Sequence, residues 1–350
     1  MIGSHFTKRN HKESVMKRFL WFFLSASFLL ASFEEGEGTA SQAGAIFLSI
    51  LPGARPTAMA GAFSSIADDA LATYYNDAGL ARVNTKDATL MHANWLTGLA
   101  HDLYYEYVGY VHPLEGGGAI GGSIIFLSTG KTTPMKEDGT PLPEYTTFDF
   151  SVKLSYGTNV REGLAVGVGA KFIYSFLSPD WVLQQVLGLS GGGTGTSWAI
   201  DLSSLYETPI RGLNVGGSLQ NIGPSLSFTE SGASDPLPRT IRLGASYKML
   251  NSATNRLTPS FEFIKIVAGD LASAGEELED VWRAAGVEYT YSDFLSGRVG
   301  YFYDKNGWRK GPTFGAGIAL KGFRFDIAVD SAIYDFPTDN YRFSLEKTFQ

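Results

Sequence analysis

The sequence predicts an all-β transmembrane barrel of fourteen antiparallel strands, preceded by a small N-terminal segment of helical spacing. Three observations predict it. Segments of roughly ten residues alternate apolar and polar side chains and recur to the end of the chain, as barrel strands do. The connections between them sort into short and long by turns. Only 18% of the 350 residues are charged, below the roughly one quarter usual for a soluble domain.

The rest of the composition agrees. Apolar residues make up 44% and aromatic residues 13%, with 41 glycines and 17 tyrosines, and barrels use aromatic girdles at both membrane interfaces. The net charge of -7 argues against a nucleic-acid partner, which would call for a basic surface. The absence of cysteine excludes disulfide frameworks, thiolate metal sites and cysteine nucleophiles together.

Taken in order, residues 1–40 read as a Sec-type signal peptide. Lys8, Arg9, Lys12, Lys17 and Arg18 form a positive region ahead of the apolar run Phe19 to Phe33. That run is shorter than the roughly 20 residues a spanning helix needs. Gly38 and Ala40 supply small residues for cleavage after Ala40, with Ala43 as the second choice,. An uncleaved anchor is the alternative. The second start at Met16, MKRFLWFF, makes a tidier leader than Met1. Export to the outer membrane of a diderm bacterium follows.

Residues 41–86 do not alternate. They are rich in Ala and Gly with helical spacing, and stand apart from the barrel strands. From residue 87 to 350 the barrel begins. Phe148, Phe150, Val152, Leu154 and Tyr156 alternate with Asp149, Ser151, Lys153, Ser155 and Gly157. The same period marks Leu164–Phe176, Ile241–Tyr247 and Phe323–Val329, so each row lies on one face of a strand. Fourteen such units are expected, near Asp87–Trp95, Tyr104–Pro113, Ala119–Leu127, Thr146–Gly157, Leu164–Phe176, Thr196–Tyr206, Leu213–Gln220, Thr240–Met249, Leu257–Ile266, Trp282–Tyr291, Phe294–Tyr303, Thr313–Leu320, Phe323–Val329 and Tyr341–Phe349. An even number suits a bacterial single-chain barrel.

The connections Ser128–Tyr145, Leu177–Gly195, Asn221–Arg239 and Val267–Val281 are long. Thr158–Gly163, Glu207–Gly212, Leu250–Arg256 and Ser292–Asp293, which follow them in turn, are short. Long loops outside and short turns in the periplasm are the outer-membrane arrangement, and a soluble sandwich has no reason to sort loops this way. Every backbone polar group in hydrocarbon needs a partner, so the sheet must close. Apolar rows then face lipid, and Lys153, Lys171, Arg242, Glu288, Arg298, Arg324 and Asp326 point inward. Mixed signs suit a filled or narrow lumen better than a single-sign pore. The row Tyr341, Phe343, Leu345, Lys347 and Phe349 resembles the C-terminal insertion signal of barrel proteins, although Gln350 follows the terminal aromatic.

The stretches FLSILPGARPTAMAGAF at Phe47–Phe63 and ADDALATYYNDAGLA at Ala67–Ala81 resemble the PorV/PorQ family, relatives of the FadL-type transporters. The resemblance implies a small helical segment inside a fourteen-stranded barrel. An Asn-Pro-Ala box of FadL-type proteins corresponds to Asn76, Asp77 and Ala78, so Asp77 stands where those proteins carry proline and its fixed φ. Arg55, Pro56, Asp68 and Asp69 fit the PorV/PorQ-like pattern instead. These residues, with Asn76 and Asp77, are the candidate plug or hatch set; the alternative is a plug that only fills volume.

Few other residues invite chemistry. Asp68 and Asp69 could bind a hard cation or do acid–base work, but helix capping or pairing with lumen arginines is the simpler reading. His92, His101 and His112 stand apart, and Gly191–Gly193 lacks the Lys-Ser/Thr of a phosphate loop,. GEELED at Gly275–Asp280 reads as a solvated acidic loop. No catalytic group, cofactor or metal site is expected, and no enzyme. Within the long loop after the fifth strand, Ser178-Pro179-Asp180 reads as a helix start with Pro at its first position. Trp181, Val182, Leu183, Val186, Leu187 and Leu189 follow. This apolar patch marks either a partner or ligand surface or a helix folded over the barrel mouth.

Two functions follow. The PorV-like resemblance implies an outer-membrane component of a type IX-like secretion system, binding or shuttling secreted cargo proteins beside other secretion subunits. The alternative is a FadL-like channel for fatty acids or other hydrophobic small molecules.

Overall fold

The computed structural model describes residues 43–97, 102–188, 192–228, 234–267, 281–304, 310–330 and 340–349. The leader, His101, Leu189, Gly191, the GEELED segment and Gln350 lie outside them.

Fourteen long strands close into one antiparallel barrel. They are β1 (Lys86–Asn94), β2 (Leu103–Pro113), β3 (Ala119–Thr132), β4 (Tyr145–Arg161), β5 (Leu164–Phe176), β6 (Thr194–Glu207) and β7 (Leu213–Ile222). The others are β8 (Arg239–Tyr247), β9 (Asn255–Val267), β10 (Trp282–Tyr291), β11 (Leu295–Tyr303), β12 (Lys310–Leu320), β13 (Phe323–Asp330) and β14 (Asn340–Phe349). Each pairs with the next, and β1 closes on β14 with Lys86 opposite Phe349 and Ala93 opposite Arg342. Closure leaves no edge to pair with a stranger. Among the described residues no helix is long and apolar enough to cross a membrane.

The alternation seen in sequence becomes the two faces of the wall. Leu90, Leu154, Phe172, Trp198, Val299 and Phe325 are exposed on the outside, while Lys153, Arg242, Glu288, Arg298 and Asp326 are buried inside. Aromatic rings continue across the outer face, with Phe126 stacked 5.6 Å from Phe148, and Phe148 5.9 Å from Tyr174.

Two expectations change in detail. Strands β3 and β4 run further than the apolar rows alone indicate, to Thr132 and from Tyr145, so the connection shrinks to residues 133–144. Here polar residues pair beyond the apolar band, through a bulge at Ser128/Gly130. The plug is also far less helical than its composition suggests. It holds only α1 (Ala54–Ala58), α2 (Ala72–Tyr75) and two 3₁₀ segments, Ile46–Ser49 and Asp77–Arg82. Pro52, Gly53 and Gly61 interrupt it, and the glycines sit at φ of 85° and 84°, a region that L-residues avoid. Backbone groups that a longer helix would have satisfied internally turn to the barrel wall instead.

Candidate functional site

The plug is laced to the wall at separate points, by charge and by backbone. Arg55, on α1, is the hub. Its guanidinium lies 2.6 Å from Asp68 Oδ1 and 2.8 Å from Asp69 Oδ2, and Nε donates to Glu288 Oε2 on β10 at 2.8 Å. A second bond from Nη2 to Glu288 Oε1, at 2.9 Å, makes the grip bidentate, the geometry a guanidinium suits. The network then spreads along the wall. Arg298 reaches Glu288 and Asp326, both at 2.6 Å. Arg324 joins Asp326 and the plug's Asp69, both at 2.9 Å, and also pairs with Glu346. Asp68 and Asp69 are thus engaged by arginines.

Asn76 and Asp77 make the second attachment. Asn76 Nδ2 donates to Ser64 O at 2.8 Å within the plug and to Ser204 O at 3.0 Å on β6. Its Oδ1 accepts from Ala78 N at 3.1 Å, capping the 3₁₀ turn. Asp77 pairs with Lys153 on β4 at 2.9 Å, and Lys153 also reaches Asp201, which in turn pairs with Lys171 at 3.0 Å. The carboxylate found in place of proline therefore ties the plug to β4. Pro56 supplies carbonyl acceptors to Met59 and Gly61 N–H groups at the end of α1.

A third attachment escaped the sequence reading. Glu262 on β9 accepts from the backbone N–H groups of Phe63 and Ser64, both at 2.9 Å, while pairing with Arg242 at 2.6 Å. Arg242 also donates to Gly61 O at 2.9 Å. Glu262, Asp201 and Glu346 were all missed, though their inward position in the alternation was the signal that could have found them.

Glycine explains how the backbones approach so closely. A Cβ added at Gly286 would lie 2.6 Å from Met59 Cβ, and one at Gly300 2.6 Å from Ala60 N. Real side chains cannot sit so close, so these inward positions keep the wall bare where the plug rests on it. By contrast Gly297, on the outward row of β11, meets nothing within 4 Å.

The outer end of the lumen is different in kind. Phe47, Leu48, Leu51, Tyr74, Trp95 and Tyr105 join one apolar cluster with Leu226 and Leu237 of the long β7–β8 loop. Tyr105, Tyr74 and Tyr75 donate their hydroxyls to the carbonyls of Ile50, Leu48 and Pro52, at 2.8–2.9 Å.

The loop after β5 holds α3 (Asp180–Val182), followed by a π-turn at Leu183–Leu187. Pro179 caps this helix with extended backbone, rather than occupying its first turn as expected. Trp181 is half-buried, edge-on to Tyr145 at 6.2 Å. Val182 is buried, Leu183 and Val186 are half-buried, and Gln184 and Gln185 face solvent. Leu187 ends the turn, and its side chain lies outside the described residues. The plug set and this loop are separate: the first sits in the lumen and the second at the mouth.

Comparison with known proteins adds a family. The profile described as type IX secretion system protein PorV matches residues 34–270. A search of curated proteins found no match. Among solved structures, the crystal structure of the P. putida toluene transporter TodX superposes with a TM-score of 0.56 at 14% identity, covering 85% of this chain and 99% of that one. A deltaS2 mutant of the TodX monoaromatic hydrocarbon channel gives 0.55 at 14% identity, with the same coverage. At such identity the likeness speaks for the fold alone. The profile match takes in the plug and the strands through β9, more than half of the sequence, and the chain belongs to the PorV family of outer-membrane β-barrels.

Proposed function

We propose that this barrel works in type IX secretion as a protein-binding platform, taking up or shuttling secreted cargo proteins at the cell surface beside other subunits of that system. The observation that carries the reading is the lacing of the plug. A lumen filled by a segment tied through Arg55, Asp77 and Glu262 has its working surface at the mouth, among the long loops. Family membership points the same way, and the loop bearing Trp181, Leu183 and Val186 supplies apolar side chains there.

The alternative is a channel for hydrophobic molecules, as TodX is a toluene transporter and a monoaromatic hydrocarbon channel. It asks the plug to move or to leave a path. Breaking a buried ion pair costs about 3–5 kcal/mol, and several would have to part together. Asp77 in place of the FadL-like proline adds one of those pairs.

Affinity purification of the native protein from outer membranes, with mass spectrometry of what accompanies it, tests the proposal. Large secreted proteins or secretion subunits in the eluate are the expected result. A barrel carrying only lipid or small hydrophobic molecules would overturn it in favour of transport.

A further inference from the structure

Beneath the plug, at the short-turn end of the barrel, lies an open cavity of about 940 Å³. Short turns mark the periplasmic side, so this vestibule faces the periplasm. It is polar, and its charges are unequally engaged. At its floor Arg55 takes up Asp68 and Glu288. On its wall Arg82 pairs with Glu207 at 3.3 Å and donates to Asn214 at 3.2 Å. Arg256 pairs with Asp293 at the rim. Arg161 at the end of β4 and Lys248 after β8 line the same cavity, are exposed, and have no ion-pair partner among the described residues. Of the lining acids only Glu162 remains to offset them.

The two free cations are far apart along the rim. Four strand-to-strand steps separate β4 from β8, which at about 4.8 Å each gives an arc near 19 Å. A single small anion cannot engage both. Asn84, Asn159, Asn214 and Asn251 line the cavity too. Asn214 already accepts from Arg82 and Asn159 donates to Ala81 O, which leaves the Asn84 and Asn251 amides with donor and acceptor capacity for a peptide backbone. An extended peptide rises about 3.3 Å per residue, so about six residues span that arc and set acidic side chains on both rim cations.

We infer that the periplasmic vestibule is a docking site for an extended acidic peptide segment of a periplasmic partner protein, with Arg161 and Lys248 as its anchoring charges. The site stands on the periplasmic mouth alone and does not rest on cargo binding at the outer surface. Charge complementarity of this kind governs encounter and register more than raw affinity, so binding is expected to weaken with salt.

The test uses the full-length protein in phosphatidylcholine nanodiscs, titrated calorimetrically with a capped hexapeptide of alternating aspartate and glycine. Saturable binding is expected, with at least about a tenfold loss in the doubly reversed variant Arg161→Glu, Lys248→Glu. Both positions are exposed, Arg161 as the last residue of β4 and Lys248 just after β8, so the variant should keep the heat-modifiable gel shift of a folded barrel. Arg211→Glu, in the β6–β7 turn but outside the cavity lining, should leave binding unchanged. The inference is overturned if no peptide binds or if Arg211→Glu weakens binding as much. Equal binding of a lysine–glycine hexapeptide, or displacement by an equal concentration of inorganic phosphate, would overturn it too.

Discussion

The plug meets its barrel in two ways. Along the lumen wall, from β4 round to β14, it is held by charges and by backbone laid against glycine; at the outer mouth it is held by apolar and aromatic side chains. Directional contacts fix where a segment sits, because a displaced carboxylate loses its partner and keeps its desolvation penalty. Apolar burial is non-directional and tolerates sliding. The laced side therefore sets the position of the plug, and the mouth seals whatever position results. Different substitutions should break the two sides by different amounts.

The largest effect is expected at the hub. Arg55→Ala leaves Asp68, Asp69 and Glu288 short of their shared cation and should cost about 3–5 kcal/mol. The readouts are thermal unfolding in detergent micelles and conductance in planar bilayers, where the intact protein should stay closed and the variant should leak. Arg55→Lys should recover only part of the loss, since a point charge cannot reproduce a bidentate grip on Glu288. A variant as stable and as tight as the parent would mean that the charge lacing does not hold the plug.

Backbone contact ranks next. Gly286→Val places new atoms against Met59 and should destabilise by about 1–3 kcal/mol, the range of overpacked cores. Gly297→Val, eleven residues along the chain but on the lipid row, is the matched control and should leave the unfolding midpoint where it is. If both variants behaved alike, close approach would not be the reason for glycine inside this barrel.

This pair also marks how much could be read without a structure. Strands such as Leu164–Phe176 and Trp282–Tyr291 were legible to the residue, because turn residues bound rows of strict period two. Facing was legible as well: Glu288 and Arg298 had to point inward once Val287 and Val299 pointed out. What the alternation could not supply was the partner. Arg55 and Glu288 lie 233 positions apart, and only closure of the whole barrel around the plug brings them together. The shape of the plug was hidden for a related reason. Its Ala-rich spacing favours helix locally, while the tertiary wall offers its backbone other partners, and the wall prevails.

At the mouth the effects should be smaller. Tyr105→Phe removes one hydroxyl that donates to Ile50 O and should cost about 1 kcal/mol, without opening the lumen, because the ring keeps its place in the apolar cluster. Calorimetric unfolding together with the bilayer assay separates this from the hub variant, which should move both. A leak in Tyr105→Phe would place the seal at the outer end rather than along the laced wall.

At Trp181 the expected change in stability is as small as at Tyr105, and the discriminating readout is capture. Among the described residues its ring meets one aromatic partner, Tyr145, and an edge-on contact of that kind is worth about 0.5–1.5 kcal/mol beyond area burial. Trp181→Ala should therefore leave the barrel closed, with a loss of stability of about 1 kcal/mol, well below that of the hub variant. Its effect on capture of secreted proteins should be large by comparison, since the half-buried ring stands on the long-loop side with Leu183 and Val186. Loss of capture in a barrel that stays folded and closed would assign the mouth a binding role separate from the holding role of the laced wall. Capture at the parent level would instead reduce the Trp181 segment to a cover folded on its own barrel, and direct the search for a cargo surface to the other long loops.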